Sequence, residues 1–188
     1  MAASVRHWAS FYREECANMS ELSKNVASVS TGQSTEARLR IYEQAEQLGK
    51  THLAKFDDLD FNVFSNQNWI RLHESHAEDI LVHWPDGRQV RGIKQHIDDL
   101  NAMFVYAPDT RIKVHPVRIA AGDWTSVIGE MEGRFTNPML APDGKKITPT
   151  GKAFKIAMCT VGHWNNGVMN EEYLFWDNLT YLKQLGIA

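Results

Sequence analysis

Two cysteines in 188 residues, Cys16 and Cys159, are too few and too far apart for a disulfide framework or a cysteine-based metal motif. An excess of charge of one sign is also missing. Twenty Lys and Arg stand against 23 Asp and Glu, a net charge of −3, and the basic residues are scattered. Nothing resembles the electrostatic footprint of a nucleic-acid-binding protein. No apolar run approaches the length of a membrane span. Residues 1–15 have no apolar core of a secretory signal, and their acids argue against a transit peptide. There is no Gly-rich phosphate loop, since Gly129 and Gly133 lie inside a strand pattern. Internal repeats and low-complexity tracts are lacking. The expectation is a cytoplasmic protein with no nucleic-acid or membrane partner and no cofactor or metal.

What is present is an ordinary globular composition, 43% hydrophobic and 23% charged, enough for one domain plus a modest extension. The division falls near Thr51, giving a helical extension over residues 1–50 and a main domain over 51–188. In the extension, Val5, Trp8, Tyr12, Cys16, Met19 and Leu22 recur every three to four residues, as on an amphipathic helix. A Ser/Thr/Gly-rich stretch (28–35) interrupts it. A second helical pattern carries Leu39, Ile41, Ala45 and Leu48, with Gly49 as its stop. This arm either packs on the main domain or serves as a lid or dimer arm.

Residues 53–76 stay helical in pattern, with a break near Ser65-Asn66. The signal then changes. Residues 79–84 are apolar and β-branched and end at the turn Pro85-Asp86-Gly87. After the short segment 89–91, Gly92 leads into a helix bearing Ile93, Ile97, Leu100 and Phe104. Strand patterns follow over 111–120, 124–135, 152–164 and 168–178, the last two joined by Asn165-Asn166-Gly167, a hairpin turn. A short helix over 179–185 closes the chain. Helices first and then long sequential strands give an α+β fold, with a curved, mostly antiparallel sheet packed against the helices and a pocket at its wide end.

Some suggestive motifs fail on inspection. His73-Glu74-Ser75-His76 has its histidines three apart rather than four, so it is not a metalloprotease helix, and no third ligand sits nearby in sequence. Ser126, Asp123 and His163 make no nucleophile elbow.

The order of the remaining motifs resembles the SnoaL-like polyketide cyclase family, of the nuclear transport factor 2-like superfamily, over roughly residues 53–186. The resemblance runs through Trp84-Pro85-Asp86-Gly87, Gly92, Ala107-Pro108-Asp109 and Pro149-Thr150-Gly151-Lys152. Its most specific part is the tail, Glu171-Glu172-Tyr173-Leu174-Phe175-Trp176-Asp177 followed by Leu182-Lys183-Gln184-Leu185-Gly186. It implies a cone-shaped fold, a small-molecule substrate, a homodimer or higher homo-oligomer, and cofactor-free aldol-type ring closure in an apolar pocket. In this family an aspartate on the last strand acts as general acid/base, and the matching residue is Asp177. The other reading makes Asp177 the N-cap of the final helix.

Period-two parity places Glu171, Tyr173, Phe175 and Asp177 on one face, which would be a pocket wall with an acidic end. His163, His115 and His83 are candidates to stabilise an enolate oxygen, against a structural role for each. Trp84, Phe104, Tyr106, Met131, Met158 and Trp164 are candidate pocket lining, or else plain core. Many relatives carry Gly-Thr-His where this chain has Gly133-Arg134-Phe135. Arg134 shares its face with Glu130 and Glu132, which favours a solvated sheet surface over a cavity position for a substrate carboxylate. The altered segment also motivates an alternative function, a non-catalytic binding protein for an apolar acid.

Overall fold

A computed structural model describes residues 34–141 and 143–188 of the chain. The amphipathic helix expected over residues 5–22, and residues 28–33 of the 28–35 stretch, lie outside them. Residues 45–188 form one compact unit.

Helix α1, Thr35–Asp58, begins after Ser34, whose hydroxyl accepts the Ala37 N–H at 3.2 Å. The stop expected at Gly49 is not there, and the helix runs on to Asp58. Gly49 is buried, and a Cβ on it would stand 2.8 Å from the Ala120 Cβ. It therefore serves a close approach between helix and strand, not a cap. A π-helical turn, Leu59–Phe64, and a 3-10 turn, Trp69–Glu74, follow, separated at the expected Ser65-Asn66 break. In the wide turn the Ser65 N–H reaches back five residues to the Asp60 carbonyl at 3.2 Å.

Strand β1 (His76–His83) pairs with β2 (Gln89–Arg91), and Gly92 then opens helix α2 (Ile93–Tyr106). The φ of Gly92, 97°, is one that a side chain would resist. The remaining strands of the main sheet are β3 (Arg111–Ile112), β4 (Val117–Ala121), β5 (Trp124–Arg134), β8 (Ala153–Asn165) and β9 (Val168–Phe175). A small hairpin, β6 (Met139–Leu140) with β7 (Lys146–Ile147), lies between β5 and β8, and helix α3 (Asn178–Leu185) ends the chain. The sheet order is β2-β1-β9-β8-β5-β3, with β4 also on β5; β1 and β9 run parallel and all other neighbours antiparallel. The fold is α+β with a curved, mostly antiparallel sheet, as expected.

The strand expected over 111–120 divides in two, because Pro116 has no N–H for the ladder. The interruption turns His115 out of the sheet pattern, which matters below. On β8, Phe154, Ile156, Met158, Thr160 and Trp164 are buried, while Lys155 and Ala157 are exposed. The even-numbered side defines the inner face of the sheet and joins Phe56, Leu59 and Val63 in the core.

The register between β8 and β9 contains one irregularity. Asn165 pairs with Val168 and Trp164 with Met169, but His163 then pairs with Glu171 and Gly162 with Glu172. Asn170 is the extra residue of a β-bulge. Because paired residues share a face, this one residue sends Glu172 and Leu174 inward and leaves Glu171, Tyr173 and Phe175 outside.

Candidate active site

Inside the sheet is a small chamber of about 30 Å³, room for roughly one water molecule. Its walls are mostly apolar, including Leu59, Phe64, Leu72, Leu100 and Met158, and its polar groups are Asp60, His76, His96, Thr160 and Glu172. No Lys or Arg among the described residues lines it. An outer groove of about 420 Å³ adjoins it and is lined by Arg88, Tyr106, Met139, Leu140 and Tyr181, among others. Trp84, Met103 and Trp176 belong to both spaces and form the partition between them. The two indoles meet edge to face at 6.1 Å.

Asp60 is held through His115, which also bonds Asp57. It lies three residues after Asp57, so both carboxylates share one side of the helical segment. His115, freed from the sheet by the Pro116 break, inserts between them. Its Nδ1 is 2.8 Å from Asp57 Oδ1 and its Nε2 is 2.8 Å from Asp60 Oδ2. The ring is also stacked on Phe61 at 4.4 Å. Burial raises the Asp60 carboxyl above its ordinary value, although bonding and charge from His115 oppose it. Burial works against the charged form of His115, yet the two aspartates outweigh it and raise the histidine. Asp57 is partly exposed and also meets Arg118 at 3.0 Å. A chain of titratable groups thus leads from the surface to the chamber.

The opposite wall carries His76, His96 and Glu172. His76 opens β1, His96 sits in the first turn of α2, and Glu172 is turned inward by the bulge at Asn170. Glu172 Oε2 lies 3.7 Å from His76 Nε2 and 3.4 Å from His96 Nε2. Burial pushes His96 down to about 4, against the pull of Glu172, so the ring is neutral near pH 7.

The residues expected from the sequence divide between the two faces. His115 reaches Asp60, Trp84 and Met158 line the chamber, and Tyr106 lines the groove. Phe104 and Met131 are buried core instead, Phe104 packing on Phe64 and Trp69. Asp177 is exposed and caps α3; it accepts the Leu179 and Thr180 N–H groups at 2.9 and 3.1 Å and the Thr180 hydroxyl at 2.6 Å. Those bonds, the Thr180 hydroxyl first, hold its carboxyl below the usual range, the reverse of what a general base needs. The N-cap reading is the one the geometry supports.

His163 lies on the outer face, stacked on Trp124 at 4.5 Å. His83 is there too, 2.8 Å from Glu171 and stacked on Tyr173 at 4.0 Å. Phe175 is also on the outer face and exposed. Arg134 is exposed and donates to the Gly151 carbonyl at 2.7 Å, and it lines neither the chamber nor the groove. Tyr173 and Phe175 stand outside because of the bulge, which reverses the parity that an unbroken hairpin would give them. Asp60, His76, His96 and Glu172 were not singled out as site residues from the sequence. The pair Asp57 and Asp60, spaced to share a helix face, was a usable signal.

Residues 50–185 match the model of the SnoaL-like polyketide cyclase family. The chain belongs to that family. A protein of Jannaschia sp. CCS1 named as a SnoaL-like polyketide cyclase has the same fold, with a TM-score of 0.66 at 17% identity over 75% of this chain and 95% of that one. IdmH of Streptomyces antibioticus, named as a polyketide cyclase, matches with a TM-score of 0.60 at 21% identity over 73% and 98% of the two chains. TsrD of Streptomyces laurentii matches with a TM-score of 0.57 at 17% identity over 78% of this chain and 97% of that one. No curated protein sequence matches the chain. These likenesses carry the fold, and the chemistry has to be argued from the chamber.

Proposed function

We propose that this SnoaL-like protein is a small-molecule cyclase or isomerase in which Asp60 is the general acid/base. One observation carries the reading: a carboxylate raised by burial faces an apolar chamber and is oriented by a histidine at 2.8 Å. A carbon between two carbonyls is acidic enough for such a base, and its anion is delocalised, so the proton transfer itself demands no cofactor. Asp60 takes the proton, the enolate carbon attacks a second carbonyl carbon to close the ring, and the protonated Asp60 returns the proton to the new alkoxide. His115 is a positioning residue that holds Asp60. The body of the substrate lies in the groove, and its reacting end passes the Trp84–Trp176 partition. The test is Asp60→Asn, shown to be folded and assayed on a polyketide-like β-dicarbonyl substrate; turnover equal to the parent protein removes Asp60 from the mechanism.

A second reading, a non-catalytic binding protein for an apolar ligand, is favoured by the contrast between the roomy groove and the 30 Å³ chamber. It requires saturable binding with no product. The homodimer and the cytoplasmic location belong to the same proposal. Self-association is supported by the outer sheet face, where Ile119, Trp124 and Phe175 are 58%, 43% and 53% exposed.

A further inference from the structure

The wall opposite Asp60 poses a problem that acid/base chemistry does not solve. His76 Nε2 and Glu172 Oε2 are buried and have no hydrogen-bond partner among the described residues. Such atoms are costly to leave bare. Ser75 Oγ lies 3.2 Å from the Leu72 carbonyl and 2.9 Å from His76 Nδ1. With its single proton given to that carbonyl, it accepts from Nδ1–H. The Nε2 lone pair of His76 is then left pointing at Glu172, so two acceptors face one another.

The spacing separates a proton from a larger cation. At 3.7 Å the His76–Glu172 gap is too wide for a hydrogen bond. Ligands about 2.1 Å from a tetrahedral ion stand about 3.4 Å apart, and the two gaps here are 3.4 and 3.7 Å. One ligand atom from each of His76, His96 and Glu172 lies within 4.8 Å of the other two. The neighbouring chamber has room for about one water, the usual fourth ligand of an open site. The hydrogen bond that His76 Nδ1–H donates to Ser75 supplies the outer-shell support that a ligating histidine commonly has.

We propose that His76, His96 and Glu172 bind a single divalent transition-metal ion, with a fourth position open to the chamber. Two imidazoles and a carboxylate suit Zn²⁺ and its first-row neighbours better than Mg²⁺ or Ca²⁺. The ion would neutralise buried negative charge in a chamber that no Lys or Arg lines, and its open position would face an oxygen of whatever occupies the chamber. The inference goes beyond the proposed cyclase and stands without it, because Asp60 is not among the ligands. His73, the other histidine of the motif dismissed from the sequence, is exposed and bonded to the Ile70 carbonyl at 2.8 Å. His76 takes its partners from α2 and β9 instead.

The experiment uses the full chain stripped of metal by chelation. Co²⁺ is titrated while visible absorption is followed, and Zn²⁺ binding is measured by calorimetry. One equivalent is expected, with d–d bands of a low-coordinate Co²⁺ and a rise in Tm on adding Zn²⁺. Glu172→Gln and, independently, His96→Asn should each weaken binding by at least about 100-fold, in line with loss of a ligand. Glu171→Gln should change it less than about twofold, and Asp60→Asn should leave the Co²⁺ spectrum in place. Near-ultraviolet circular dichroism identifies any variant that has lost its fold, and the other ligand variant then decides. No stoichiometric binding by the parent protein, or binding undiminished in a folded ligand variant, overturns the proposal.

Discussion

Glu171 and Glu172 are neighbours on one strand and live in opposite worlds. Glu171, its side chain 28% exposed, makes a solvated trio with His83 and Tyr173, and those bonds, from His83 first, hold its carboxyl low. Glu172, 5% exposed, looks across a buried chamber at two histidines it does not quite touch. Residue type is the same, so the contrast is one of environment: the outer group is satisfied and unremarkable, the inner one incompletely partnered and able to take on a ligand. The two faces of the whole sheet repeat this lesson, with Trp124 and His163 outside and Trp164 inside, stacked on His52 at 4.6 Å.

The sharpest way to break the comparison is catalytic. Asp60→Asn should lower kcat by at least about 100-fold, the usual scale of a general acid/base, while Asp177→Asn keeps a competent N-cap and should stay within about threefold. Steady-state kinetics of both variants on one substrate decide it; a larger loss for Asp177→Asn would invert the assignment.

The next effect is on stability. Trp164 is fully buried, with its Nε1–H on Thr125 at 2.9 Å, so Trp164→Ala should cost about 3–5 kcal/mol. Trp124→Ala on the outer face should cost under about 1 kcal/mol. Urea unfolding measures both, and equal losses would abolish the inner–outer distinction.

A smaller effect concerns pH. His115 is raised in the folded protein, so its contribution to stability is full below the ordinary value of 6.5 and is lost as pH rises through the raised one. Asp57 and Asp60 face it directly, Arg118 acts through Asp57, and Glu172 and His76 act on Asp60 across the chamber. Denaturation midpoints should fall as pH rises above neutrality, and His115→Asn should flatten that limb. A parent protein whose midpoint rises over the same range contradicts the sign. The smallest change is expected from Glu171→Gln, a half-buried pair member at the sheet surface whose loss should cost less than about 1 kcal/mol in the same urea assay.

The fold was largely legible in the sequence because period-two and period-3.6 patterns report burial directly. Helix α2, strands β5 and β8 and the Asn165-Asn166-Gly167 turn stand where those patterns put them. The errors have physical causes. Gly49 looks like a helix stop until Ala120 comes against it, and residues 111–120 look continuous until Pro116 interrupts the ladder. The site was far less legible. Asp60, His76, His96 and Glu172 come from four separate segments, and tertiary packing alone makes them neighbours. His115 was visible as a candidate, while the aspartates on either side of it offered only their three-residue spacing.

Asn170 makes the chemistry of this sheet a matter of counting as much as composition. Were Asn170 paired with His163 in an unbroken ladder instead of being bulged out, no side chain from 171 onward would change, yet the chamber would pass to Glu171, Tyr173 and Phe175 and Glu172 would turn to solvent. Two related chains identical from residue 171 onward, one with a bulge here and one with an unbroken ladder, would therefore present different carboxylates. An ungapped alignment would equate the wrong pair. A residue gained or lost at this strand with no bulge to absorb it, more than a substitution, is the shortest route such a pocket has to a new reaction.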